Sequence, residues 1–504
     1  MKAIKRLPLL LLLTGVASIM TLGPAAYALS VQDFHDARSF FYAGILGLVL
    51  TAFVGLARAN RSRNSDPMRQ LVSLLAAFSA LPVLMAIPFH EAVRTTTFLA
   101  AYFEMVSSFT TTGITLFAPD RLSGAEHLWR AQMGWLGGFV MWVAAAAILA
   151  PLTLGGFEVT ETGEPGQARA DGLSGGKLAG PGERLWRSIG ILAPLYTLLT
   201  AVLTLLLLVA GETPLTALSH AMGVMATSGV SPVGGLDGGT AGLSGEIIVV
   251  AFFAYALSRL TFASDTGAVR GTDLRADAEV RLGLVLVVAV GLAVFLRQWL
   301  AAAEIGDAAN IGAALRALWG ALFTAFSFLV TAGYISAEWY TARDWSGLPT
   351  PGLVLMGLAL TGGGVATTAG GVKLLRIYAL ALNGGREIHR LVHPSSLGSQ
   401  NALSRRIRRE GGFIAWVFFM LFGVILAALA VLLGLAGLDF EAAMVLAVAA
   451  LTNTGPLVEV AAQEPIAVLT LAVPAKLILC AGMVLGRLEL LAIIVMLSPE
   501  LWRD

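Results

Sequence analysis

The chain has little charge. Asp, Glu, Lys and Arg together supply 13% of its 504 residues, about half the share that soluble globular domains carry. Apolar residues make up 57% and the mean hydropathy is +0.79. No soluble fold hides that many apolar residues behind so few charged ones, so the composition implies a polytopic membrane protein. There is a single cysteine, Cys480, which excludes an internal disulfide, a thiolate zinc cluster and a CxxC redox site. A surplus of either sign is missing too: the formal net charge is +1, which excludes a polyanion-binding surface as the organising theme and gives no reason to expect nucleic acid as a partner.

Enzyme signatures are also wanting. GLSGGKLAG (172–180) looks like a phosphate loop, but Asp171 stands where the first glycine is needed and Leu178 where Ser or Thr is needed. Asp265-Thr266-Gly267 is an isolated triplet. His389 and His393 have helical spacing without a third ligand or the HExxH glutamate. No nucleophile–base pair or paired carboxylate set is found, so the chain is not expected to be an enzyme, and no cofactor is expected in it.

What is present is a series of long apolar runs and 56 glycines. A helix needs ~20 apolar residues to cross the hydrocarbon layer. Runs of that kind lie at roughly 7–29, 39–57, 68–89, 128–150, 188–210, 244–264, 281–300, 350–382, 412–434 and 467–497. Cytoplasmic connections retain Lys and Arg, and one alternate set of connections holds most of the basic residues. The opposite set holds only Arg38, Arg94, Arg121, Arg297, Arg316 and Arg343. Within that set, 211–245 and 435–465 carry no Lys or Arg, only Glu212, Asp237, Asp439, Glu441, Glu459 and Glu464. Both termini are therefore expected in the cytoplasm, with an acidic outer face. The first run, with Lys2, Lys5 and Arg6 before it and Ala26-Tyr27-Ala28 near its end, reads either as an uncleaved helix or as a signal peptide with an A-x-A site.

Four outer connections share one pattern: an apolar stretch of half a span, then a short hydroxyl-rich run ending in glycine. The runs are Thr110-Thr111-Thr112-Gly113, Ala226-Thr227-Ser228-Gly229, Val330-Thr331-Ala332-Gly333 and Thr452-Asn453-Thr454-Gly455. They recur roughly every 110 residues, each between two long apolar runs, which marks an internal repeat. The half-helices carry start signals: hydroxyls at Thr95 to Thr97, Pro214 after Thr213, and Asp439 with Glu441 close behind. About a dozen residues rise ~18 Å, halfway into the bilayer. Irregular backbone at that depth must line water or be buried in protein, so four such re-entrant turns around one axis would make a pore.

The residue types suggest the cargo. Each half-helix would aim its carbonyl end, about half a negative charge, at the membrane centre, and extended residues beyond it can replace an ion's hydration shell with backbone oxygens. Potassium is the natural fit, because it sheds water more readily than a smaller, harder cation. Magnesium would want carboxylates, and the four runs have none.

On these residues the chain resembles the Trk/Ktr/HKT superfamily of potassium transporters, most closely the bacterial TrkH-type membrane subunit. The resemblance runs through AYFEMVSSFTTTGIT (101–115), WRAQMGWLGGFVM (129–141), GGGVATTAGGVKLLR (362–376), REIHRLVHP (386–394), LTNTGP (451–456) and GRLELLAIIVMLSPELW (486–502). It implies an all-α integral membrane fold of four span–pore-helix–span repeats around a pseudo-fourfold pore, plus two N-terminal transmembrane helices. It further implies a K⁺ selectivity filter with one strand per repeat, centred on Gly113, Gly229, Gly333 and Gly455. The glycine-rich break with Gly362, Gly363, Gly364, Gly370 and Gly371 matches the family's intramembrane gating loop, and Arg487 matches its last-span arginine. Physics points the same way: helix does not persist easily through so many glycines. Arg487 is either a barrier in the ion path or a structural arginine paired with Glu489, and Lys373 either a gate residue or a flanking charge at the cytoplasmic mouth. Departures are Ala332 in the third run, Asn453 in the fourth, and LSRLTFASDTG (257–267), which lacks an expected Gly-Asn ending.

The expected divisions are 1–66 for the N-terminal helix pair, 67–157 for repeat one, 158–182 for a cytoplasmic linker, and 183–270, 271–395 and 396–504 for the remaining repeats. Arg405, Arg406, Arg408 and Arg409, with Arg386 and Arg390, form a basic patch that serves either anionic-lipid anchoring or docking of a cytosolic partner. The resemblance implies such a partner, a nucleotide-binding regulatory ring, as well as a homodimer in the bacterial inner membrane. The expected activity is gated passive K⁺ permeation, with coupling to H⁺ or Na⁺ as the alternative.

Overall fold

In the computed structural model, the residues described are 8–58, 67–152, 154, 156, 181–257, 277–305, 311–340, 352–393, 409–462 and 464–490. These residues are helical with connecting turns, and no strand occurs among them. The chain runs α1 (Leu9–Met20), α2 (Leu22–Ser30), α3 (Phe34–Arg58), α4 (Pro67–Val93), α5 (Phe98–Phe109), α6 (Gly124–Ala144), α7 (Pro181–Val209) and α8 (Pro214–Ala226). It continues with α9 (Gly242–Phe253), α10 (Ala278–Ile305), α11 (Ile311–Leu329), α12 (Gly352–Thr361), α13 (Leu374–Val392), α14 (Arg409–Leu435), α15 (Phe440–Thr452) and α16 (Val473–Leu488).

Seven stretches among the described residues are long and apolar enough to cross a membrane: Leu9–Ser30, Phe34–Arg58, Gln70–Val93, Gly124–Leu149, Gly182–Val209, Ala278–Leu296 and Gly411–Leu435. The remaining expected runs differ. The run 244–264 is described only to residue 257, as α9 and one tight turn, and that at 467–497 as α16, with 491–497 outside the described residues. The run 350–382 is not one span. It breaks after Thr361 into a loop and resumes as α13 at Leu374, because its glycines cost helix roughly 1 kcal/mol each. Residues 158–180, 258–267 and 394–408 also lie outside the described residues, and with them nearly all of the linker, all of LSRLTFASDTG after its first residue, and half of the basic patch.

Four short helices, α5, α8, α11 and α15, stand inside the bundle. Their start signals work as the residues suggest. Thr97 accepts a hydrogen bond from the Ala100 amide at 3.3 Å, Asp439 from the Ala442 amide at 3.3 Å, and Pro214 occupies the first turn of α8. The third is longer than expected, 19 residues, against 12 for α5. Each short helix packs between the span before it and the helix after it. The helix closing each repeat also touches the short helix of the next: α6 on α8, α9 on α11, α12 on α15, and α16 back on α5. That contact order closes on itself, which is the pseudo-fourfold arrangement.

Glycine makes the close packing possible. A Cβ at Gly137 of α6 would overlap the Phe109 backbone, and one at Gly486 of α16 the Leu451 backbone. Small residues let membrane helices approach backbone to backbone in this way. The outer helices α3, α7 and α14 turn Leu46, Phe53, Leu205 and Val424 outward, the face that lipid solvates. The N-terminal pair is packed too: Gly47 of α3 sits against the Ser18 side chain.

Candidate functional site

The four short helices end in the same turn. Thr111, Thr227, Thr331 and Asn453 take left-handed φ angles of 57°, 49°, 57° and 52°. One residue on, the amides of Thr112, Ser228, Ala332 and Thr454 donate back to the carbonyls of Ser107, Gly223, Ser327 and Ala449 at 2.8, 2.9, 2.9 and 2.9 Å. This is a left-handed helix C-cap, built four times. Asn453 is thereby explained, since asparagine is enriched in the left-handed region.

The turns converge. A Cβ at Gly113 would strike the Ser228 carbonyl, one at Gly229 would stand 2.6 Å from the Ala332 oxygen, and one at Gly333 would stand 2.7 Å from Pro456 Cγ. The Gly455 amide donates to the Thr112 carbonyl at 2.6 Å, completing the circuit. Three of the glycines also need their backbone freedom, with φ of 79°, 64° and 76° at Gly113, Gly229 and Gly333. Gly455 is not in that region. It is glycine for closeness, since a Cβ there would meet Gly113 and Ile114.

In the first and fourth turns the hydroxyls beside the glycines face their own helices. Thr110 Oγ1 lies 2.8 Å from Thr112 Oγ1 and donates to the Val106 carbonyl at 2.7 Å. Thr452 Oγ1 donates to Thr454 Oγ1 at 3.1 Å and to the Val448 carbonyl at 2.8 Å. In the third turn Val330 and Ala332 replace both members of that pair. Asn453 Nδ2 ties two turns and a span together, donating to Thr112 Oγ1 at 2.9 Å and to the Met483 carbonyl at 3.0 Å.

Beyond the ring, a cavity of about 350 Å³ opens, floored by Gly113, Gly229 and Gly333 and walled by Arg130, Glu459 and residues 466–469. Behind its wall, buried carboxylates hold the strands that leave the ring. Glu104 pairs with Arg130 at 2.6 Å and accepts from the Leu116 amide at 3.0 Å. It is fully buried. Glu246 accepts from the Ala337 amide at 2.8 Å, Ser336 Oγ at 2.8 Å and Trp319 Nε1 at 2.6 Å.

On the other side, the loop between α12 and α13 presses against the ring. The Gly370 amide donates to Thr331 Oγ1 at 2.7 Å, Thr227 Oγ1 donates to Thr368 Oγ1 at 3.1 Å, and a Cβ at Gly370 would overlap the Thr452 carbonyl. Gly362 and Gly371 take φ of 73° and 77°, and Ala366 and Lys373 of 57° and 84°. Gly363 and Gly364 are drawn into the packing by bonds from Leu374 N to Gly363 O and from Gly364 N to Ala256 O, each 3.0 Å. Glu279 anchors the loop by accepting from the Val365 amide at 2.9 Å.

Cations hold this loop in place. Arg487 is 3% exposed, and its Nη1 donates to the Thr368 carbonyl at 2.6 Å. Lys373 is buried and its Nζ donates to the Ala369 carbonyl, so it is not a flanking charge. Below the ring lies a void of about 10 Å³ lined by Gly370, Lys373, Asn453, Arg487 and Glu489 among others, space for about one water.

These features have counterparts in known proteins. The family model TrkH, described as cation transport protein, matches residues 335–503. The chain is 29% identical over 440 residues to the Trk system potassium uptake protein TrkH of Salmonella typhimurium, spanning 86% of this chain and 84% of that protein. It is 28% identical over 504 residues to the protein of the same name from Vibrio parahaemolyticus, spanning 98% of each. The crystal structure of the potassium transporter TrkH from Vibrio parahaemolyticus matches with a TM-score of 0.80 over 100% of both chains, at 25% identity. In sequence and in fold the chain is similar to the TrkH potassium transporters.

Within this TrkH-like chain, sequence reasoning missed the residues that brace the site. Glu489 does pair with an arginine, but with Arg376, at 2.7 Å, and not with Arg487. Arg376 in turn lays its guanidinium 3.8 Å from the centre of the Phe418 ring. Arg376 closes the segment GGGVATTAGGVKLLR, so a signal was available: a second cation one helical turn beyond Lys373, in a segment with no carboxylate of its own. Glu246 left no local signal, because its partners lie 73 to 91 residues away in sequence.

Proposed function

We propose that this chain is the pore-forming subunit of a potassium uptake system. The observation that carries this reading is the closed ring of four left-handed caps, each at the carbonyl end of a buried half-helix. The four runs 110–113, 226–229, 330–333 and 452–455 act as the strands of a selectivity filter, where backbone oxygens stand in for water around K⁺. Hydroxyl pairs turned onto their own helices support coordination by carbonyls, which makes the loss of both hydroxyls in the third strand a mild change. The loop 362–371, held by Arg487 and Lys373, acts as the gate, and Arg487 sets a positive charge in the path until it moves. Once open, flux is passive and driven by membrane potential, ~2.3 kcal/mol per charge per 100 mV.

The chain works in the bacterial inner membrane with both termini in the cytoplasm, as a homodimer, and a cytosolic nucleotide-binding ring moves the gate. The four pore repeats are 67–157, 183–270, 271–395 and 396–504. Uptake of K⁺, Rb⁺ and Na⁺ into cells lacking their own potassium transport, with and without the cytosolic partner, tests this. Selective K⁺ and Rb⁺ uptake that rises with the partner supports it, and equal Na⁺ uptake counts against it.

A second reading, coupled transport, is favoured by one observation: Lys373, Arg376, Arg487 and Glu489 are all buried below the ring, and ionisable groups at depth often carry coupling protons. Liposome flux with and without a pH gradient separates the two. Passive flux follows the K⁺ gradient alone.

A further inference from the structure

The cavity outside the ring has two charged residues in its lining, Arg130 and Glu459. Arg130 is spent, since its guanidinium is buried against Glu104 at 2.6 Å. Glu459 is different. It follows Pro456 by three residues, its amide donating to the Pro456 carbonyl at 3.1 Å in the short turn that leaves the fourth strand. Its side chain is exposed at the cavity wall, and among the described residues no ion pair or side-chain hydrogen bond engages it. It is thus the one carboxylate among the lining residues, in the same wall as the glycines of the ring.

We propose that Glu459 is the cation-recruiting residue of the outer mouth, and that proton binding to it lowers the rate at which K⁺ enters from that side. The proposal rests on the pore reading above and adds an entry step to it. A single negative charge beside a water-filled path raises the local concentration of a monovalent cation about two-fold. That changes entry at low K⁺ and leaves the preference between ions to the ring.

The groups facing Glu459 set its titration. The enclosing walls of the mouth push its pKa up to about 7, and Asp237 in the loop after the second strand adds to the rise. Arg130, on α6, is held by Glu104, and Tyr334, after the third strand, gives its hydroxyl to the Val230 carbonyl at 3.0 Å. The lining residues 466–469 are uncharged. A carboxyl with a raised pKa is neutral below that value and charged above it, so entry is weaker at acid pH on the vestibule side.

The test is K⁺ flux through the full-length protein with its cytosolic partner, at K⁺ well below saturation, as vestibule-side pH is stepped from 5.5 to 8.5. Wild type is expected to gain about two-fold across neutrality. Glu459→Gln removes the step and stays at the low-pH rate, and Glu459→Lys falls below it. Asp237→Asn moves the midpoint to lower pH, which a merely structural role for Glu459 does not produce. Saturating K⁺ or raised ionic strength with an impermeant salt erases the step. An unchanged pH step in Glu459→Gln overturns the proposal. The K⁺ over Na⁺ ratio, read in the same preparation, separates the two ideas: selective flux without a pH step sinks only the recruiting role, whereas unselective wild-type flux sinks the pore reading itself.

Discussion

Gly229→Ser is the most direct probe of the ring. At a φ of 64°, any L side chain pays about 1–2 kcal/mol for the left-handed backbone. The added Cβ would stand 2.6 Å from the Ala332 carbonyl oxygen and 2.8 Å from Pro456 Cγ. An ordinary carbon–oxygen contact is about 3.3 Å, so the Ala332 oxygen must retreat by about 0.7 Å. If that oxygen helps replace the ion's water, its loss is worth on the order of 1–2 kcal/mol of discrimination, a fall of roughly five- to thirty-fold in K⁺ over Na⁺ preference. Gly437→Ser is the matched control. Gly437 takes a φ of 100° in the turn before α15, but nothing lies within 4 Å of its Cβ position. The backbone penalty is at least as large there, and the ring is untouched. Bi-ionic reversal potentials from single-channel recordings, alongside thermal unfolding in detergent, separate the effects. Should Gly229→Ser keep the wild-type ratio while unfolding no earlier than Gly437→Ser, the assignment of these oxygens to ion coordination is wrong.

Arg487→Ala removes the bond to the Thr368 carbonyl and a buried positive charge, and basal K⁺ flux without the cytosolic partner should rise, as measured by ⁸⁶Rb⁺ uptake. Glu489→Gln leaves Arg376 buried without its 2.7 Å counter-ion. Breaking one partner of a buried pair costs about 3–5 kcal/mol, whereas replacing both with apolar groups is often nearly neutral, so Arg376→Met with Glu489→Met should unfold later than Glu489→Gln alone. Glu246→Ala strips two hydrogen bonds from the segment after the third strand and one from Trp319 of α11. It should lower thermal stability by several kcal/mol at about 1 kcal/mol or more per bond, with Glu246→Gln recovering part of the loss.

Much of this architecture is visible in the residues because its determinants are local. A half-helix advertises its start with Thr97, Pro214 or Asp439, and its end with a glycine two residues beyond the left-handed cap. The small residues Ser107, Gly223, Ser327 and Ala449, each six positions before a ring glycine, belong to the same local code. The braces are not local. Glu246 and Trp319 meet because α9 packs on α11, and Arg376 meets Glu489 across 113 residues. Neither pairing has a periodicity to betray it. Lys373 misled for a related reason: a lysine at the edge of an apolar run ordinarily anchors at the membrane surface, and only the fold shows a loop carrying it back inside.

The hydrogen bond between the Gly370 amide and Thr331 Oγ1 has a mechanical consequence. With the loop 362–371 read as the gate, it is a plug latched to the very turn it stops up, so withdrawing the plug must also release a threonine whose backbone is part of the ring. Selectivity and opening then share one latch. Ion preference should drift as open probability changes, and a molecule that wedges the plug in place would stiffen the ring above it.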